Sequence, residues 1–149
     1  MNRCELAVDY HHRGFNCAQS VLAAFGDLTR LPEREALALA GGFGGGVGGT
    51  HEELCGALSG GVLAAGILLA PHVRENDPEG KKRAHAAARE LRSRFAARFG
   101  DRTCCGDLLR ADLPKIGAPC ITGHCDTLIY GAVELLEEML SEQGTAAGV

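Results

Sequence analysis

Cys55-Gly56-Ala57-Leu58-Ser59-Gly60-Gly61-Val62-Leu63-Ala64-Ala65-Gly66-Ile67-Leu68-Leu69-Ala70-Pro71 is the stretch that decides the fold. It shows none of the apolar/polar alternation of a half-buried strand, and Pro71 ends it. It reads as a helix running to about Ala70. Gly56, Gly60 and Ala64 form one row of small residues along it, and Ala57, Gly61 and Ala65 form another. Such rows let neighbouring backbones approach closely. Each interior glycine costs a helix about 1 kcal/mol relative to alanine, so tight packing has to offset it. Leu54–Pro71 is an uncharged run of 18 residues, but four glycines and a serine lower its hydropathy below that of a membrane span.

Upstream lies Gly41-Gly42-Phe43-Gly44-Gly45-Gly46-Val47-Gly48-Gly49, where seven of nine residues are glycine, so this segment is a loop. Thr50, with Glu53 three positions on, is a candidate capping box for the central helix. Further upstream the pattern predicts helices over 2–12, over Cys17–Phe25 with Asn16 as N-cap, and from Leu31-Pro32 to Ala40. Downstream, Asn76-Asp77-Pro78 opens a helix to Phe99 whose apolar stripe is Ala84, Ala88, Leu91, Phe95 and Phe99. A short helix near Asp107–Ala111 follows. An irregular stretch then leads to a last helix over about Cys125–Glu142, with Leu128, Ala132, Leu135, Leu136 and Met139 inward.

The expectation is an all-α fold, a single-domain helical bundle over 1–149. It has about five to seven helices and a glycine-rich loop before the central small-residue helix. A chain of 149 residues fits one domain and buries roughly 70% of its unfolded surface, enough for a core without disulfides. Aromatics are 5% and tryptophan is absent, so the core is built from Ala, Leu, Val and Gly. The net charge of -4 gives no reason to expect nucleic acid. The N-terminus lacks a basic region followed by an apolar run, which points to a soluble cytoplasmic protein with no membrane association.

Cysteines stand at 4, 17, 55, 104, 105, 120 and 125. In a reducing cytoplasm they are not a disulfide framework, so metal or redox chemistry is the better explanation. No pair is spaced Cys-x-x-Cys, which removes the thioredoxin motif, most zinc fingers and covalent haem attachment. Cys17, Cys55 and Cys125 fall at predicted helix starts, and Cys105 lies just ahead of the short helix. Free backbone N–H groups and positive partial charge there favour thiolate, the form that binds metal or attacks a disulfide. Any one of these cysteines could instead be a small buried hydrophobe.

Five segments carry a resemblance: Gly14-Phe15-Asn16-Cys17-Ala18-Gln19-Ser20-Val21-Leu22, Gly42-Phe43-Gly44-Gly45-Gly46, Cys55-Gly56-Ala57-Leu58-Ser59-Gly60-Gly61, Cys105-Gly106-Asp107-Leu108-Leu109, and Cys125 ahead of Val133-Glu134-Leu135-Leu136-Glu137. Together they resemble the C-GCAxxG-C-C family, regarded as redox-active. The family's four cysteines map onto Cys17, Cys55, Cys105 and Cys125. A similar module occurs in a dihaem cytochrome with an additional iron–sulfur centre, but this chain has no Cys-x-x-Cys-His and the likeness stops short of haem. Cys104 is a rival for Cys105. Cys4 and Cys120 lie outside the pattern, and Cys120 is a further alternate thiol.

The expected function is that of a redox protein in which Cys17, Cys55, Cys105 and Cys125 converge on an iron–sulfur cluster for electron transfer or redox sensing. Metal-free thiol–disulfide chemistry and an interaction module with structural zinc are the alternatives. Whether the protein is an oxidoreductase or an electron carrier stays open. Gly44, Gly45, Gly46, His51, Glu53 and His124 are candidate loop or supporting residues around the thiols. His11 and His12 read as surface residues. Eight of the 15 basic residues lie between Lys81 and Arg102, a solvated helix face or a docking face for an acidic redox partner. The small-residue faces allow a homodimer.

Overall fold

Asn2 and Asn16 start helices by the same device. Each asparagine side chain accepts from the backbone N–H three residues on, at 2.8 Å from Glu5 and 3.0 Å from Gln19. The Glu5 and Gln19 side chains each accept the asparagine's own N–H at 2.9 Å, completing two capping boxes. They open α1 (Arg3–His12) and α2 (Cys17–Ala24). The computed structural model describes residues 1–144. After α2 come α3 (Gly26–Thr29), α4 (Glu33–Ala40) and a 3-10 turn over Gly41–Phe43. Then follow α5 (Gly56–Leu69), α6 (Pro78–Arg98), α7 (Cys105–Arg110) and α8 (His124–Glu142). The described residues are all-α, with eight helices rather than five to seven. The one-turn helix α3, set between Phe25 and the left-handed residue Arg30, is the element that no periodicity announced.

The central helix is α5, which packs on α2, α6 and α8. Its two small-residue rows have different partners. A Cβ on Gly60 would stand 2.5 Å from the Ala18 carbonyl oxygen of α2, and one on Gly61 would stand 2.9 Å from Leu91 of α6. Backbone contact on one side and leucine packing on the other account for glycine at both places. Both glycines are used inside the chain, so they offer nothing to a second copy. Leu22, Phe25, Leu58, Leu91, Phe95, Leu128, Ala132 and Leu136 fill the core. Among the described residues no helix is long and apolar enough to cross a membrane.

The expected cap of α5 is not at Thr50. The helix begins at Gly56 with Cys55 as N-cap, and Thr50 Oγ1 donates instead to the carbonyls of Gly46 at 2.7 Å and Val47 at 3.0 Å. The cause is nonlocal. Leu54 forms an antiparallel bridge with Cys104, and the Cys55 N–H donates to the Thr103 carbonyl at 2.8 Å. This pairing holds 50–55 out of the helix and ties the start of α5 to the start of α7.

Part of the basic set on α6 is paired. Arg94 makes two bonds to Glu142 at 2.7 and 2.8 Å, and Arg98 meets Glu134 at 2.7 Å. Arg94 and Arg98 therefore brace α6 against α8, which leaves the exposed Lys81, Lys82, Arg83, Arg89 and Arg92 as the solvated part of the face.

Candidate functional site: a thiol cluster at four helix starts

Four helices begin around one spot. Cys17 is the first residue of α2, Cys55 the N-cap of α5, Cys105 the first residue of α7 and Cys125 the second of α8. All seven cysteines are free thiols. The Cys17 and Cys125 thiols are immediate neighbours. Cys17 feels the charges of Cys125, Cys55 and Cys105, while Cys55 feels Cys105 and Cys125. Cys55 and Cys105 are buried, whereas Cys17 and Cys125 are half-exposed. The cluster thus has an inner pair and an outer pair.

The two outer thiols differ. Cys125 is held low, at about 6, first by the adjoining Cys17 thiol and then by His11 and His124, against burial and the negative charge of Asp126. Cys17 is pushed up by Cys125, by burial and by the Cys55 and Cys105 thiols. The two thiols titrate as a pair, whose first proton leaves more readily than an ordinary thiol's and whose second leaves less readily. Burial pushes Cys55 up to about 12, against the α5 amides of Ala57 and Leu58, and burial raises Cys105 as well.

The glycine run forms the wall. Residues 45–49 all have positive φ, Val47 among them at 64°, so the chain makes a left-handed turn that glycine tolerates and valine resists. The turn uses its amides internally: Gly48 N–H donates to the Gly42 carbonyl at 2.8 Å, and His51 N–H to the Gly45 carbonyl at 2.8 Å. What glycine supplies is closeness. A Cβ on Gly46 would lie 2.7 Å from the Cys105 Cβ, one on Gly44 would overlap Asn16, and one on Gly56 would lie 3.1 Å from the Cys17 Cβ. Gly45 packs on Gly49 in the same way.

His51 and Glu53 act through their backbones. Their carbonyls accept the N–H groups of Gly106 and Cys105, both at 2.8 Å, while their side chains are exposed. The Cys104 thiol points at the Glu52 and His51 carbonyls, 3.5 and 3.8 Å away. Cys105 is thus the member of that pair whose charge Cys17 and Cys55 feel. His124 Nε2 donates to the Leu108 carbonyl at 2.7 Å, tying α8 to α7. Cys120 lies apart, near Cys4, Glu5 and Asp126.

His12 is exposed, as expected, His11 is half-buried, and both meet a buried acid that follows Cys125. His11 Nδ1 and His12 Nε2 each lie 2.8 Å from an oxygen of Asp126, which is 1% exposed and follows Cys125 directly. The Asp126 carboxylate also accepts the N–H groups of Thr122 at 2.9 Å and Gly123 at 3.0 Å. Burial works to raise this carboxyl, but the four hydrogen bonds outweigh it and hold it at about 2.

The donor set bears on the iron–sulfur expectation. Among the described residues no three His, Cys, Asp or Glu side chains are arranged to hold one metal ion. As placed, Cys17 and Cys125 adjoin each other beside the buried Cys55 and Cys105.

Searches of curated proteins and of solved structures find no significant match to the chain. A family model does match, over residues 15–139, and spans all four helix-start cysteines. The chain therefore belongs to the C_GCAxxG_C_C family, described as "Putative redox-active protein".

Proposed function

We propose that the protein is a thiol–disulfide redox protein whose working pair is Cys125 and Cys17. The observation that carries this reading is the adjacency of two half-buried thiols at neighbouring helix starts, in surroundings that favour thiolate on Cys125. A low thiol at neutral pH is a competent nucleophile, and an adjacent thiol is its resolving partner.

The substrate class is a disulfide on a redox partner protein. The Cys125 thiolate attacks one sulfur of that disulfide, forming a mixed disulfide and releasing the partner's other sulfur as thiolate. The charge that held the Cys17 proton is now gone, so Cys17 releases it to solvent or to the leaving thiolate. The Cys17 sulfur then attacks the Cys125 sulfur, closing a Cys17–Cys125 disulfide and freeing the partner's second thiolate. Two electrons pass to the partner, and the chain is oxidised by the same two. The reverse sequence reduces the chain. The partner selects whether the protein works as an oxidoreductase or as a carrier.

The test is titration of the full chain with glutathione and its disulfide, followed by peptide mapping without reductant. A reversible Cys17–Cys125 disulfide is expected. A different pairing, or none, overturns the reading. Bound iron–sulfur or zinc is the competing reading, supported by the mutual closeness of the four thiols. Stoichiometric metal in protein purified without oxygen would establish it instead.

A further inference from the structure

The large apolar side chains that stay exposed are not scattered. Six stand out among the described residues, and three of them, Leu39, Phe43 and Val47, fall within nine consecutive positions. The whole stretch 36–50 carries no charge. It is also tied to the cysteine-bearing helix starts. The Asn16 side chain, which caps α2 beside Cys17, donates to the Gly41 carbonyl at 2.9 Å, and Gly44 packs on Asn16. Gly46 packs on Cys105. Phe43 and Val47 each follow or precede one of these packed positions, and the Val47 N–H donates to the Phe43 carbonyl at 3.4 Å. Val47 has a φ of 64°, a conformation that strains a β-branched residue. Burial does not offset that strain, because Val47 is 43% exposed. Glycine or asparagine would fill the same turn without strain and without an apolar group in water. Strain and exposure together mark a side chain whose use lies outside the chain.

We infer that Phe43 and Val47 form an apolar docking rim beside the thiols, which seats the disulfide-bearing segment of the redox partner through uncharged, apolar residues flanking its cysteine. The inference rests on the thiol-pair reading and deepens it by naming what the partner presents. Position and charge both select this occupant. Residues 41–44 pack against the start of α2, where Cys17 is half-exposed, so a protein segment reaching that sulfur meets the rim. Glycines stand on both sides of Phe43 and of Val47, so the two apolar groups rise above bare backbone. Nothing in 36–50 offers a counter-charge, and a charged flank would lose water there without gaining a partner. An apolar flank gains by covering Phe43 and Val47. A small-molecule disulfide is too short to cover the rim, so the rim sets the choice of partner and not the exchange chemistry.

The probe is a synthetic peptide, Ala-Leu-(S-methylcysteine)-Leu-Ala, blocked at both ends, which has no disulfide to exchange. Its binding to the reduced full chain is read from backbone amide shifts by NMR. Saturable shifts at Phe43, Val47 and the glycines between them are expected. The same peptide with serine in place of both leucines is expected to bind about tenfold more weakly. Val47→Asn suits the left-handed turn and removes the apolar group, so the leucine peptide is expected to bind it about threefold more weakly. Val73→Asn is the control: Val73 is 88% exposed, follows the end of α5 far from Cys55, and is expected to leave binding unchanged. Equal binding of the two peptides, shifts centred on Val73, or undiminished binding by Val47→Asn overturns the inference. So does a dimer in sedimentation velocity that Val47→Asn dissociates, because the rim would then belong to a second copy. If Val47→Asn does not fold, the two peptides on the unaltered protein still decide the matter. The binding readout is separate from disulfide formation. Rim binding without a reversible Cys17–Cys125 disulfide refutes only the working pair. That disulfide without rim binding refutes only the docking rim.

Discussion

Cys4 and Cys125 lie on helices that pack against each other, yet their thiols face opposite charge. Cys4 is buried, its sulfur is 3.7 Å from a Glu137 oxygen, and it is pushed up to about 12 by burial first and then by Glu137 and Glu134. Cys125 has a thiol and two histidines for company and sits at about 6. Neither residue type nor helix explains the difference. What separates a reactive cysteine from an inert one here is burial first, and then the company each sulfur keeps, carboxylates at Cys4 against a thiol and histidines at Cys125.

The comparison is sharpest as a rate. At pH 7 the thiolate fractions of the two sites differ by a factor on the order of 100,000. Low-pKa thiolates are intrinsically weaker nucleophiles, which returns a factor of several hundred. Iodoacetamide is therefore expected to label Cys125 on the order of 100 times faster than Cys4, as read by peptide mass over time. Comparable rates would mean that the charge around the two sulfurs does not set their chemistry.

The outer pair can be disturbed while the Cys4 pocket is spared. Gly60→Ala forces a methyl against the Ala18 carbonyl, one residue from Cys17, and α2 has to shift. The overpacking costs about 1–3 kcal/mol, only partly offset by alanine's better helix propensity. Denaturant unfolding is expected to show a net loss of that order, with slower Cys125 labelling and unchanged Cys4 labelling. A stabilised variant would show that α2 and α5 are not in backbone contact.

A smaller effect is expected in the pH dependence of stability. Cys125 is lowered from 9.0 to about 6, so its contribution is full above pH 9 and is lost as pH falls toward 6. Half-exposed as it is, solvent screening cuts that contribution to roughly 1 kcal/mol. Cys4 and Cys55 are raised to about 12, so their contribution is full below pH 9 and is lost as pH rises toward 12. Stability measured by denaturant unfolding is expected to climb from pH 6 to a maximum near pH 9 and then fall. A steady fall across this range would reverse the assignment of the low thiol.

How much of this was legible in the residues follows from distance along the chain. Asn16 as a cap, the small-residue rows and the cysteines at helix starts are local signals, and the structure bears each of them out. Thr50 failed as a cap because Leu54 and Cys55 pair with the segment 103–104, which no local pattern encodes. The glycine run read as a loop, but its left-handed turn and its packing on Cys105 depend on where α7 arrives. His11 and His12 meet Asp126 across 115 and 114 positions. The available signal was an acidic residue directly after a helix-start cysteine, and it names no partner.

The last comparison separates burial from charge at Cys4. Glu137→Gln removes a negative charge and keeps one oxygen, which can accept from the Cys4 thiol in place of Oε1, while Arg3 Nε gives up its 3.3 Å bond to Oε2. Arg3 retains Asp27 and the Ala24 carbonyl, and its guanidinium still lies over the Phe25 ring, so the N-terminal helix stays anchored. Burial is the larger cause of the raised thiol, and the substitution leaves burial untouched. Cys4 labelling is therefore expected to rise only about threefold, while Cys125 labelling stays constant. A rise that brings Cys4 level with Cys125 would make the carboxylate, not burial, the lock on Cys4. The converse result, no change at all, would leave burial as the sole lock and confine the electrostatic contrast to the histidine side of the molecule.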